Sequence, residues 1–206
     1  MKQILTIVLL STGIAMSAQT DDTFFSEINR FGIFGGPIFE VSANNEDITA
    51  NAGGGGGVVL NDFFFGAYGV GDSYIDGFDF NTDENRFEDI KLKHRGLWFG
   101  YTPKQSRAAH PYLSARVGWG RTSYKAFDLI SSLGPDRITD RIFVLTPEIG
   151  AEFNIFQFFR IALAANYRWV NGIDESNPFN SDDLSQFGGS ITLRFGSFGD
   201  YSWWRW

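Results

Sequence analysis

The stretch that most constrains this chain runs from Phe159 to Trp169. Its odd positions are Phe159, Ile161, Leu163, Ala165, Tyr167 and Trp169, and its even positions are Arg160, Ala162, Ala164, Asn166 and Arg168. A helix would smear those two sets around its circumference, whereas the period of two of a strand separates them into an apolar and a polar face. On the apolar face aromatic rings stand at both ends and aliphatic side chains between them. Ten steps of ~3.3 Å, tilted by ~45°, cover roughly 23 Å, close to the ~25 Å apolar band of outer-membrane barrels. The strand is therefore expected to face lipid.

The start of the chain fits export. Met1-Lys2 is basic, Ile4 to Leu10 is mostly apolar, and small residues at Ala15, Ser17 and Ala18 precede Gln19. This pattern predicts a signal peptide over residues 1–18, cut after Ala18, with a cut after Ser17 as the variant that avoids Met16. The plainer alternatives are a membrane anchor or a buried first helix, but the apolar run is shorter than the ~20 residues a helix needs to cross a bilayer. The remainder, from Gln19 on, is one domain's worth of chain. It has no cysteine, so packing, backbone pairing or lipid must stabilise it. A net charge of −7 argues against a nucleic-acid partner. With 24 glycines, 6 prolines and 17% aromatic residues, the chain suits many strands with tight inner faces.

After a polar periplasmic lead over 19–30, the alternation predicts eight strands within 31–198, followed by an aromatic tail over 199–206 that ends Trp203-Trp204-Arg205-Trp206. The first strand carries Ile33, Phe39 and Val41 on one face and Phe34, Ile38 and Glu40 on the other. The second contains the glycines 53–57; no Lys-Ser or Lys-Thr follows them, so a phosphate loop is rejected in favour of a curved strand that leaves room inside a narrow barrel. In the fourth, over 90–102, Lys91, Lys93 and Arg95 share a phase with Leu97, Phe99 and Tyr101, so a bulge near Gly96 is expected to turn the latter three to lipid. A turn is expected over 103–111. Pro147 sits awkwardly in the sixth strand because it cannot donate to a ladder. Long loops are expected over 72–89, 128–141 and 172–183, and short connections after the second, fourth and sixth strands, the last a tight turn over 154–157. This alternation places both termini in the periplasm, with the connection after the first strand, Asn44 to Asp47, as the exception, external and short.

Together with Gly-Ala-Tyr-Gly-Val-Gly at 66–71, Gly-Trp-Gly at 118–120 and a last strand ending in Phe195, this pattern resembles the small eight-stranded outer-membrane β-barrel proteins of the outer-membrane protein A and X type. The resemblance implies an all-β, antiparallel, up-and-down transmembrane barrel in the outer membrane of a Gram-negative bacterium, surrounded by outer-membrane lipid. It also implies an aromatic residue read by the barrel assembly machinery, a part that Phe195 and Trp206 both fit. A soluble ligand-binding barrel alternates equally well with its apolar face inward, but the small Ala162 and Ala164 on the polar face and the banding of rings oppose it.

The expected lipid-facing girdle comprises Phe143, Phe153, Phe159, Tyr167, Trp169, Phe187 and Phe195. Inside the barrel fall Glu40, Arg116, Glu148, Glu152, Arg160, Arg168 and Arg194, with Lys91, Lys93 and Arg95 nearby. Enclosed charges must find partners or water, so the first reading is a network of ion pairs that plugs the lumen and the rival a narrow basic pore for small solutes. The acidic loop residues are read as solvated. Asp79-x-Asn81-x-Asp83 imitates the start of a calcium loop, but Glu84 replaces the glycine and Ile90 the closing glutamate, so no metal or other cofactor is assigned. A lipid-modifying enzyme ranks third: His110 is expected in a turn, and His94 lies in a strand without a neighbouring serine, so an interfacial or lumenal structural histidine is expected and no catalytic residue is assigned. The chain is thus expected to be a non-enzymatic barrel with a structural or interaction role, on its own or as part of a larger outer-membrane complex.

Overall fold

A computed structural model describes residues 28–43, 48–72, 91–126, 136–174 and 180–199. The expected signal peptide, most of the lead, nearly all of the aromatic tail, the calcium-like run at 79–83 and much of the acidic loops lie outside them. Eight strands succeed one another: β1 (Phe31–Ala43), β2 (Ile48–Leu60), β3 (Phe63–Asp72), β4 (Lys91–Tyr101), β5 (Ala109–Ala126), β6 (Asp136–Phe156), β7 (Phe159–Asn171) and β8 (Gln186–Ser197). Each pairs antiparallel with the next, and β8 pairs with β1 to close the barrel. Closure gives each described strand a hydrogen-bonded neighbour on both sides.

The two faces of the wall are inverted relative to a water-soluble protein. Leu163 and Ile191 point outward at 44% and 47% exposure, while Arg160 and Arg168 point inward at 7% and 3%. Outward-facing Ile33, Val41, Phe65, Leu97, Leu113 and Ile149 extend the apolar surface around the barrel. A soluble barrel would bury this set; an outer wall of this kind is one that hydrocarbon solvates better than water.

Register explains why the glycines cluster where they do. Gly55 faces inward, and a Cβ there would lie 3.0 Å from Cζ3 of the buried Trp98. At Gly100 a Cβ would run into the Phe64 ring, and at Gly118 into the Tyr68 hydroxyl. The freed space is filled by Phe34, Phe64, Trp98 and Tyr112, all buried. Phe34 meets Phe64 edge-on at 5.4 Å and Trp98 at 5.6 Å, a geometry that adds about 0.5–1.5 kcal/mol per pair beyond burial.

Four local expectations are corrected. No bulge interrupts β4: its pairing with β3 and β5 runs without a shift through Gly96, so Lys91, Lys93 and Arg95 share the outer face with Leu97, Phe99 and Tyr101 and do not approach the lumen. The turn expected to reach Pro111 ends earlier, because β5 starts at Ala109 and Pro111 pairs opposite Ala151. The loop expected over 128–141 gives way at Asp136 to β6, which pairs with β5 as far as Ala126. With 18 and 21 residues, β5 and β6 exceed the ~9–11 residues that a tilted strand needs to span the apolar layer. Finally, β6 continues to Phe156 through a register shift between Asn154 and Phe156, so the turn is Gln157-Phe158.

The ladder tolerates its prolines by lapsing beside them. Thr146 and Pro147 have no registered partner in β7, and Gly36 and Pro37 have none in β8, while pairing on their other sides continues. A missing N–H therefore costs one side of the strand only.

Candidate functional site in the lumen

Strand parity sends the charged side chains of five strands into one narrow space. Glu40 comes from β1, Arg116 from β5, Glu148 and Glu152 from β6, Arg160 and Arg168 from β7 and Arg194 from β8, and each is buried. They divide into two layers, because Glu148 and Glu152 lie four residues apart on the same face of β6.

In the first layer Arg116 Nη2 donates to Glu148 Oε1 at 2.9 Å and also pairs with Glu40. Glu148 accepts in addition from Ser190 Oγ at 2.7 Å and from Ser114 Oγ. Ser114 in turn accepts from Trp98 Nε1 at 3.3 Å, which ties the aromatic core to the ion pairs. The Arg116 guanidinium lies 5.3 Å from the Tyr68 ring centroid.

The second layer is organised by Glu152. Its carboxylate accepts from Arg160 Nη1 at 3.0 Å, from His110 Nε2 at 3.1 Å and from Arg194. Arg160 also donates to Gln105 Oε1 at 3.0 Å. Rings complete the shell: Arg194 stacks 3.8 Å from the Phe34 centroid and 4.5 Å from Phe64, and Arg160 lies 3.8 Å from Phe198. Cation–π contact is stronger where the cation has been stripped of water, about 2 kcal/mol or more. Arg116 and Glu152 are both 0% exposed.

Arg168 stands apart from these two layers. Its Nε donates to the Leu184 carbonyl at 3.2 Å and Nη2 to Gln186 Oε1 at 3.4 Å, which tethers the connection before β8 to the inner wall. Of the expected girdle, Phe143, Phe153, Phe159, Tyr167, Trp169, Phe187 and Phe195 all face outward. They form ring ladders: Phe159 with Phe195 at 4.6 Å, Tyr167 with Phe187 at 4.6 Å and Phe143 with Trp169 at 6.2 Å.

The two histidines also take part, and the strand position of His110 is not foreseen from the sequence. His110 is in β5, buried against Glu152, and not in a turn; its alternation with Tyr112 and Ser114 is the available signal, masked by Pro111. His94 points inward with Nδ1 3.0 Å from the Tyr68 hydroxyl. Both imidazoles are therefore committed to partners within the wall. Chemically, the lumen is a buried array of charged and polar groups in which Glu40, Glu148 and Glu152 each face an arginine.

The fold has counterparts among solved structures. Neisserial surface protein A matches at a TM-score of 0.51 and 17% identity, over 80% of this chain and 96% of its own. The architecture is that of the small eight-stranded barrels. Ail, the attachment invasion locus protein of Yersinia pestis, matches at a TM-score of 0.45 and 12% identity, over 81% of this chain and 97% of its own. No protein-family model matches the sequence. No curated protein matches it either.

Proposed function

We propose that this chain is an outer-membrane barrel with a sealed lumen, whose role is structural or interactive and is carried by its outer wall and its loops. The observation that carries the reading is the pair of buried charged layers built on Glu148 and Glu152, with Arg116 and Glu152 at 0% exposure. A conducting pore would keep such groups wet, whereas here each carboxylate is met by guanidinium, hydroxyl or imidazole donors. In this reading residues 1–18 direct export and both ends of the mature chain lie in the periplasm. The connections support that orientation, since β1 begins and β8 ends at the rim that carries the short turns Asn61-Asp62 and Gln157-Phe158. The long connections then face outward from the cell. The assembly machinery would read the aromatic end of the chain, at Phe195 or Trp206, and a larger outer-membrane complex is the partner to seek.

Planar-bilayer recording of the refolded chain tests the seal. No discrete conductance steps are expected; resolved single-channel steps would instead establish the narrow pore. The same preparation should migrate differently on a denaturing gel before and after boiling, as compact barrels resist detergent until heated.

A further inference from the structure

All the Lys and Arg side chains with assigned outward orientation on the described strands lie on three neighbours, β4, β5 and β6, at the rim of the long connections. Lys93, Arg121 and Arg141 occupy one cross-strand row, Lys93 registered with Arg121 and Arg121 with Arg141. Arg95 stands one step lower, registered with Trp119, and Lys91 one step above. Lys93, Arg95, Arg121 and Arg141 are exposed. Like charges placed directly opposite across strands repel. Acidic side chains of the described strands do not share this face where orientation is assigned: Glu40, Glu148 and Glu152 point inward, and Asp140 has the parity of the latter two.

Cations that merely snorkel from the apolar layer would be spread around the barrel. These are gathered on one side, beside a strand stripped of bulk. Gly69 and Gly71 of β3 and Ala52 of β2 floor a concavity of about 1060 Å³ that Lys93, Arg95, Arg121 and Arg141 border. The Lys93 stem lies over Gly71, where a Cβ would come within 2.9 Å of its Cγ. Directly below, Trp119 meets Phe143 at 5.9 Å and Phe143 meets Trp169 at 6.2 Å. Such a belt marks the level at which hydrocarbon gives way to headgroups.

We infer that the row Lys93–Arg121–Arg141, with Arg95, is a binding site for a phosphorylated glycolipid of the outer leaflet, its phosphates held by the cations and its acyl chains lying along the apolar wall beneath. The inference rests on the outer-membrane reading above and adds a specific occupant to it. Guanidinium groups recognise phosphate by paired hydrogen bonds, and three on one patch suit a ligand with more than one phosphate. The site faces sideways into the bilayer and not into the lumen, so the ligand arrives through the membrane plane.

The test uses the full chain folded into maltoside micelles, with bisphosphorylated lipid A as probe and retention read by native mass spectrometry. Wild type should retain the probe and discriminate at least tenfold against the same lipid with its phosphates removed. R121Q/R141Q should lose retention at least tenfold, while R107Q, on the opposite rim, should match wild type. Millimolar inorganic phosphate should not displace the lipid. Equal retention of the dephosphorylated lipid, equal retention by R121Q/R141Q, or displacement by inorganic phosphate would each overturn the site, the last by showing a soluble-anion site. Heat-dependent gel migration and insertion into lipid vesicles, measured on the same proteins, separate the two proposals: a variant or wild type that inserts but ignores lipid A sinks the site alone, and failure to insert sinks the membrane reading.

Discussion

Two groups of cations occupy the two sides of one wall, and their surroundings could hardly differ more. Inside, Arg116, Arg160 and Arg194 each have a carboxylate within hydrogen-bond reach and an aromatic ring beside them. Outside, Lys93, Arg121 and Arg141 face one another. The side-chain chemistry is the same and only strand parity separates the groups: Arg116 is even and Arg121 odd along the same strand. The inner group has its counter-charges built into the wall, whereas on the described strands the outer cations stand opposite one another.

The contrast can be broken most severely at Glu152, which serves Arg160, Arg194 and His110 at once. E152Q removes the negative charge that Arg160 and Arg194 share in a buried site. A loss of about 3–5 kcal/mol is expected for an uncompensated buried charge, read from the midpoint of guanidinium unfolding followed by tryptophan fluorescence. An intermediate effect should come from giving the outer wall a cation where lipid is deepest. L163R places one on the apolar face between Phe159 and Trp169, and about 2–4 kcal/mol of destabilisation is expected in vesicles. The smallest change should have the opposite sign. R121Q relieves repulsion from Lys93 and Arg141, so in a neutral detergent free of phospholipid the barrel should gain about 0.2–1 kcal/mol. A loss there would show that the outer row is already compensated and would dissolve the comparison.

How much of this is legible in the sequence depends on which rule governs each residue. Inward placement of Glu40, Glu148, Glu152 and the four arginines comes from alternation alone, since period two leaves no other option once one face is apolar. The number of strands and the long and short connections come from the same pattern. Strand β4 misleads because its cations and its apolar residues share a phase, which invites a bulge to separate them. The conflict is not real: a strand taller than the apolar layer carries both on one face, cations at the rim and rings below. His110 and the early start of β5 are hidden by Pro111, which looks like a turn residue but needs no donor on the side where it sits. The Arg160–Phe198 contact is out of reach for another reason, since Phe198 lies beyond the end of β8 and no alternation places it.

Pro37 also shapes how the cylinder could come apart. The seam where the two ends of the folded chain meet has three rungs near the short-turn rim, Ile33 to Ser197, Phe34 to Gly196 and Gly35 to Phe195, then a gap, then six more from Ile38 to Ala43. A zipper pulled from the end of the last strand opens three teeth against little, meets the missing pair, and must then start afresh on the longer run. Tearing along that line would cross one break in the run of rungs, set beside a single ring that has no hydrogen to give.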